Sequence, residues 1–212
     1  MDLLSNMTES KAKELLQYYA ALVTIPALED ACNKVIDNPK FYTQVGSAGE
    51  HHAYPGGLII HTAEVTDFAF NMAKTFNEVA SADATADDDV VITAAIFHDF
   101  MKVNEYEIRQ KSTPDSIYLD AHGRPMTYIA KTDYRHLVRH VAGSHAAFLV
   151  AIQNKEVYPD VVMRIEHAIL AHHGRKEWGS PVEPQTVEAM ILHSADMFSV
   201  NFGPGSKTKP SH

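Results

Sequence analysis

Cysteine is almost missing from this chain: Cys32 stands alone. That excludes an intrachain disulfide and a thiolate metal cage, and it fits a reducing compartment. Long apolar runs are missing too. No stretch approaches the roughly 20 consecutive apolar residues of a membrane-spanning helix, and the opening Met1-Asp2-Leu3-Leu4-Ser5-Asn6 has no basic segment followed by an apolar one. A soluble cytoplasmic protein is therefore expected. Positive charge is scarce: 18 Lys and Arg against 27 Asp and Glu give a formal net charge of -9, which weighs against a surface that tracks the phosphates of a long duplex. Histidine, by contrast, is abundant, with 13 residues. A chain of 212 residues that is 45% hydrophobic is long enough for one well-buried core and short for two. The expected organisation is a single helical domain over 1–202 and a polar, disordered tail over 203–212; His212 lies in that tail and carries no argument.

The chain is organised around residues 92–102, an almost wholly apolar segment that runs into His98-Asp99. A helix apolar on every side belongs in a core. Val91, Ala94, Ala95 and His98 recur at helical spacing, so the imidazole continues the buried stripe and Asp99 follows it inward, where a charge needs a partner. Residues 7–25 form an amphipathic helix capped by Thr8, and Pro26 starts a second helix to about Ile36. Residues 38–57 read as a loop ending in His51-His52-Ala53-Tyr54-Pro55-Gly56-Gly57. From 58 to about 80, His61, Val65, Phe68, Met72, Phe76 and Val79 follow one helical stripe. Residues 81–89 read as a solvated acidic loop, and 104–131 as short alternating runs forming a small hairpin. Thr132 or Asp133 caps a helix to about Asn154 that places His136 and His140 on one face. Pro159-Asp160 begins another, ending in His172-His173-Gly174. A last helix, from near Pro184, carries His193 and Asp196 among apolar positions.

Five helices thus aim His or Asp inward, at His61, His98 with Asp99, His140, His172 with His173, and Asp196. The fold class is all-α, a helical bundle with a small β-hairpin insertion, and such bundles assemble cofactor sites from inward side chains on facing helices. Neutral imidazoles and carboxylates suit a divalent cation.

The order His61, His98-Asp99, Asp196 resembles the HD-domain metal-dependent phosphohydrolases. With His51-His52-Ala53-Tyr54-Pro55-Gly56-Gly57, Lys102, His140 and His172-His173-Gly174-Arg175-Lys176-Glu177-Trp178, the chain over about 41–202 is similar to the HD domain of bacterial 3'-5' exoribonucleases and of HD-type conjugative relaxases. The resemblance implies one metal held by His61, His98, Asp99 and Asp196. Asp99 would bridge to a second ion, held by His140 and one or both of His172 and His173. The pair implied by the resemblance would be two divalent ions (Mn, Fe, Zn, Mg or Ni). The chain departs from these relatives at Phe100-Met101, where they have Ile-Gly, and at Arg139, where they have Gly. The nucleic-acid-binding domain that accompanies the exoribonucleases finds no counterpart in this sequence.

The expected activity is hydrolysis of phosphoesters of nucleotides or short nucleic-acid ends, as a phosphodiesterase, nuclease or nucleotidase. Two cations generate hydroxide from water and stabilise charge on the phosphate oxygens. Lys102, one turn beyond His98, is the candidate for neutralising a phosphoryl oxygen. His52, Arg139, Arg175 and Lys176 are candidate substrate contacts, and His193 a candidate for orienting a ligand. The partner is a nucleotide or a short single strand rather than a long duplex or a membrane; oligomer formation stays open. Two alternatives share the residues: a di-iron oxygenase, and a non-catalytic nucleotide-binding module.

Overall fold

The computed structural model describes residues 7–49, 51–81, 84–113 and 116–203. Its elements, in chain order, are α1 (Glu9–Ala20), α2 (Pro26–Ile36), α3 (Pro39–Thr43), α4 (Gly57–Val79), α5 (Asp88–Phe97), a 3-10 turn (Phe100–Asn104), strands β1 (Tyr106–Gln110), β2 (Ser112–Thr113), β3 (Ser116–Ile117) and β4 (Thr127–Lys131), then α6 (Asp133–Leu137), α7 (His140–Ile152), α8 (Pro159–Ala171), a second 3-10 turn (Lys176–Trp178) and α9 (Val187–Phe202). It is the expected all-α bundle with a small β insertion.

α5 is the axis. Its residues from Asp89 to Phe97 are all buried, and α1, α2, α4, α7, α8 and α9 all pack against it. Ile92, Ile96 and Phe97 are among the largest fully enclosed side chains, so truncating any of them to alanine costs about 2–5 kcal/mol. Because α5 has no solvent face, the residues at its C-terminal end emerge in the interior rather than at the surface. That places His98 and Asp99, with 0% and 1% exposure, in the middle of the bundle.

Local chemistry sets the helix starts. Thr8 accepts a hydrogen bond from the Lys11 amide and caps α1, and Pro26 opens α2 at the position where a missing N–H costs nothing. The stretch 38–57 is not all loop, because Asn38 caps α3 and Pro39 presets its first turn. Nor is 81–89 a solvated loop throughout. Asp87 caps α5, and the buried Asp89 carboxylate accepts from the Thr24 amide and hydroxyl and the Ile25 amide. Along α4 the stripe faces inward at His61 and Val65, is half-buried at Phe68, Met72 and Phe76, and ends outside, with Val79 83% exposed.

The single helix expected over 133–154 is two. α6 stops at Leu137, and Arg139 adopts φ 65° and ψ 156° before α7 begins at His140. This break removes the shared face proposed for His136 and His140. β1 and β4 pair antiparallel with Tyr106 opposite Lys131, and β2 pairs with β3 farther out. α9 begins at Val187, capped by Thr186, a little beyond Pro184. The tail expected over 203–212 lies outside the described residues beyond Gly203. No helix among the described residues is long and apolar enough to cross a membrane.

Candidate metal centre

Two glycines bring the His51-His52 loop onto the start of α4. Gly56 has φ 80°, and a Cβ on Gly57 would lie 2.0 Å from the His52 carbonyl oxygen. α4 then presents His61 about one turn into the helix. α5 ends at His98, and Asp99 turns the chain into the 3-10 segment that folds Lys102 back over it. The backbone break at Arg139 makes His140 the first residue of α7. α8 ends at His172, where Gly174, with φ 82°, turns away beneath the His193 ring. α9 supplies Asp196.

These side chains converge in two groups around Asp99. On one side, Asp99 Oδ2 lies 3.2 Å from His61 Nε2 and 3.4 Å from His98 Nε2, and Asp196 Oδ1 is 3.2 Å from His61 Nε2. On the other, Asp99 Oδ1 lies 3.2 Å from His140 Nε2 and 3.7 Å from His172 Nε2, while His140 Nε2 and His173 Nε2 are 3.2 Å apart. His61, His98 and Asp99 on one side, and Asp99, His140, His172 and His173 on the other, have the compactness of metal-binding clusters, and Asp196 borders the first through His61.

Every ring in the two groups has its Nδ1 engaged elsewhere. His98 Nδ1 is 2.7 Å from the Ala95 carbonyl and His172 Nδ1 is 2.6 Å from that of Ile169. His173 Nδ1 meets the Trp178 carbonyl at 3.0 Å, and His140 Nδ1 meets the Glu105 carboxylate at 2.9 Å. His61 Nδ1 is 3.0 Å from Ser199 Oγ, whose own hydrogen goes to Glu64 at 2.8 Å. Each Nδ1 therefore donates, and each ring turns its Nε2 toward the centre. The result is a cluster of acceptors with too few donors. Asp99 Oδ1 and His172 Nε2 are buried with no hydrogen-bond partner among the described residues, and they face one another. Buried acceptors in this state are costly, and a cation held by these residues would satisfy both. The donor set, imidazole nitrogen with carboxylate oxygen, fits a divalent transition metal.

The electrostatics agree. Burial, reinforced by His140, lowers His173 to about 4, and burial with His173 and His98 holds His172 well below the usual imidazole range. Both are neutral at pH 7 and ready to donate a lone pair. Burial opposes ionisation of Asp99, but Lys102, His98 and His140 overcome it and hold the carboxyl well below its ordinary value. Asp196 is depressed in the same way, with His61 as the main opposing influence. Burial would lower His61, yet Asp196 and Asp99 raise it to about 9, so in the absence of a cation this ring carries the proton that relieves the cluster.

Other expected site residues take different places. Lys102 is 7% exposed with Nζ 2.5 Å from Asp99 Oδ2, and it lines both cavities that open onto the centre. His52 has no exposed surface; its Nε2 lies 3.1 Å from Glu64, which removes it from direct contact with a substrate. Its neighbour His51 lines both openings instead. His51 Nδ1 sits 3.3 Å from His52 Nδ1, and burial lowers it to about 3. Arg139 is exposed, with its guanidinium beside Gly179 and His173. Arg175 is turned 4.9 Å over the Trp178 ring and lines neither opening; Lys176 is exposed on the turn. His193 touches the His172 carbonyl at 2.8 Å, not the ring. His136 lies exposed on α6, and His145 pairs with Glu166. Sequence reasoning missed Glu64, Glu105 and Ser199. Each is a polar residue three positions beyond a site residue (His61, Lys102 and Asp196), and that spacing on an inward helical face was the signal available.

A family profile described as HD domain matches residues 58–201. Among curated proteins, the chain is 29% identical over 157 residues to the 3'-5' exoribonuclease YhaM of Bacillus velezensis, an alignment covering 74% of this chain and 42% of that one. It is 32% identical over 146 residues to the dihydroneopterin 2',3'-cyclic phosphate phosphodiesterase of Methanocaldococcus jannaschii, covering 69% and 47%. With YhaM of Listeria innocua it shares 30% over 174 residues, covering 80% and 48%. The chain spans less than half the length of these relatives. No solved structure matches it.

Proposed function

The chain belongs to the HD-domain family, and from that premise we propose that it is a metal-dependent phosphohydrolase that cleaves phosphodiesters of nucleotides or short nucleic-acid ends. In this reading His61, His98, Asp99 and Asp196 hold one divalent ion, and Asp99, His140, His172 and His173 hold a second. The observation that carries it is the division of Asp99, one carboxylate oxygen in each histidine group. Divalent cations held there supply Lewis-acid charge to a phosphoryl oxygen and lower the pKa of coordinated water.

The protein's own contribution is positional and electrostatic. The five Nδ1 contacts lock the rings so that Nε2 is always the donor atom, which removes the reorganisation a free imidazole would need. Lys102 holds Asp99 ionised and brings its ammonium to the floor shared by both openings, where a phosphoryl oxygen would meet it. His51, neutral and anchored through Nδ1 to His52, lines the same floor. The relatives' names give an RNA end in one case and a cyclic phosphate in the other. Both are phosphodiesters, which is the chemistry this centre supports. The net charge of -9 favours small or single-stranded substrates over long duplex, and a reducing, cytoplasmic setting agrees with the lone buried Cys32.

The test joins metal analysis to hydrolysis. Purified protein is expected to hold two divalent ions per chain after loading, and to hydrolyse bis(p-nitrophenyl) phosphate, 2',3'-cyclic nucleotides or short oligonucleotides. Chelation should abolish the activity and re-addition restore it. A coloured iron centre without phosphoester turnover would overturn this reading in favour of oxygen chemistry. Metal binding with no turnover of any ester would leave a nucleotide-binding module.

A further inference from the structure

Two openings reach the centre, and their chemistry differs. One, of about 310 Å3, is walled by Trp178, Met197 and Val200. The other, of about 550 Å3, is bounded by Tyr106, Lys131 and Arg135. Lys102, His51 and His173 border both, so a group bound over the centre has one foot in each.

The larger opening is anomalous for this chain. Against a net charge of -9, it gathers three cationic side chains, Lys102, Lys131 and Arg135, and among the described residues no carboxylate lines it. The three come from separate elements. Lys102 is on the turn after α5, Lys131 is the last residue of β4, and Arg135 is on α6. The β1–β4 register sets Lys131 opposite Tyr106, which keeps the insertion's basic end at the cavity rim.

The three differ in how far they are committed. Lys102 is bound to Asp99. Arg135 gives Nη1 to Glu105 at 2.5 Å and stacks over Tyr106, leaving further guanidinium N–H groups to donate. Lys131 is exposed and makes no ion pair among the described residues. A pocket with free donors from Lys and Arg is suited to phosphate oxygens.

We propose that this cavity is a second phosphate site: it receives the phosphate next to the one being cleaved, through Lys131 and Arg135. The proposal rests on the phosphohydrolase reading and narrows it. A substrate with a single phosphate gives that group to the metal centre and leaves the basic wall unfilled, whereas a nucleotide chain supplies both anions. The preferred substrate is thus a phosphodiester with a neighbouring phosphate, and the basic end of the insertion selects it.

The matched pair ApA and pApA tests this, because the two share one diester and differ only in the neighbouring 5'-phosphate. Metal-loaded full-length protein is expected to favour pApA about tenfold in kcat/KM, chiefly through KM, as one charged hydrogen bond would give. In Lys131→Ala the ratio should fall to about one to two, and in Lys131→Glu below one. Lys131 is exposed, so both variants should melt like wild type. The same comparison is made by titration calorimetry with analogues whose diester is replaced by a non-cleavable linkage, which reads affinity without turnover. Equal handling of ApA and pApA by wild type, or an unchanged preference in Lys131→Ala, overturns the second phosphate site even if both diesters are hydrolysed. Lys131-dependent binding of the pApA analogue without hydrolysis of either diester upholds the site and removes the phosphohydrolase reading.

Discussion

Glu105 takes both hydrogens that His140 can offer it, the backbone amide at 2.6 Å and the ring Nδ1 at 2.9 Å. One buried carboxylate therefore fixes the first residue of α7 and the orientation of its imidazole together, and Arg135 compensates its charge. Glu105→Gln keeps the size but loses the anion, and an amide oxygen supports the ring less strongly. The expected result is a second-ion affinity about 10–100-fold weaker, with the first ion retained. His140→Ala should leave one ion per chain, while His136→Ala and His145→Ala keep two. Metal content after dialysis against graded chelator checks all four variants, and loss of both ions in Glu105→Gln would contradict the assignment.

Asp99 and Lys102 are one ion pair with two fates. Asp99→Ala removes the only side chain common to both histidine groups, so it should empty the centre and abolish activity. Lys102→Ala should keep its metal and lose about 100- to 1000-fold in kcat, the effect of removing a donor aimed at developing charge. Metal content and kcat measured on the same preparations decide it; equal metal loss in the two variants would reassign Lys102 to holding the site together.

Metal-free protein should be most stable near pH 6.5. His61 is raised to about 9, so between 6.5 and 9 the folded chain holds a proton that the unfolded chain releases. The stability this gives is complete below 6.5 and is lost as pH rises through 9. His51, lowered to about 3, and His173, lowered to about 4, act in the opposite sense. Below 6.5 the unfolded chain takes up protons that the folded chain refuses, so stability falls as pH drops. The depressed carboxyls of Asp99 and Asp196 add their own loss only below the ordinary carboxylate range. Thermal melts of chelated protein from about pH 4 to about 9.5 should trace this maximum. A midpoint that climbs steadily to the alkaline end would be inconsistent with it.

Arg139 occupies a conformation, φ 65° and ψ 156°, that favours glycine. Strain of about 1–3 kcal/mol is relieved in Arg139→Gly, offset by roughly 0.5–1 kcal/mol of added freedom in the unfolded chain. The net gain of about 1 kcal/mol should raise the melting temperature by about 2–4 °C. A drop in melting temperature would mean that the guanidinium beside Gly179 holds the turn.

Much of this centre was legible because helical periodicity is local. His61, His98 and His172 each sat on an apolar stripe, and α5 announced itself by having no polar face. The break at Arg139 was not legible. Residues 133–154 have continuous helical character, and the break depends on Glu105, 35 residues away from His140, accepting the amide that a longer helix would have used internally. His52 misled for a related reason. Beside His51 in a polar loop it was a candidate substrate contact, and only the buried Glu64 on the facing turn of α4 draws it inside. Arg175 was misplaced even though its partner is local, because the Trp178 ring three residues on takes its guanidinium. Polar partners of buried ligands are set by tertiary contact, and their trace in the sequence is limited to an unexpected Glu or Ser on an apolar face.

The contact between His61 and Ser199 joins residues 138 positions apart. Donor atoms so distant along the chain share no geometry until α4 and α9 have docked, and closing so long a loop is a late step rather than an early one. With that docking expected after the rate-limiting barrier, a cation that binds this arrangement would act on the native state. Added divalent ion is accordingly expected to slow unfolding while leaving the refolding rate nearly unchanged, so that the centre sets the lifetime of the folded protein and has little part in how quickly it forms.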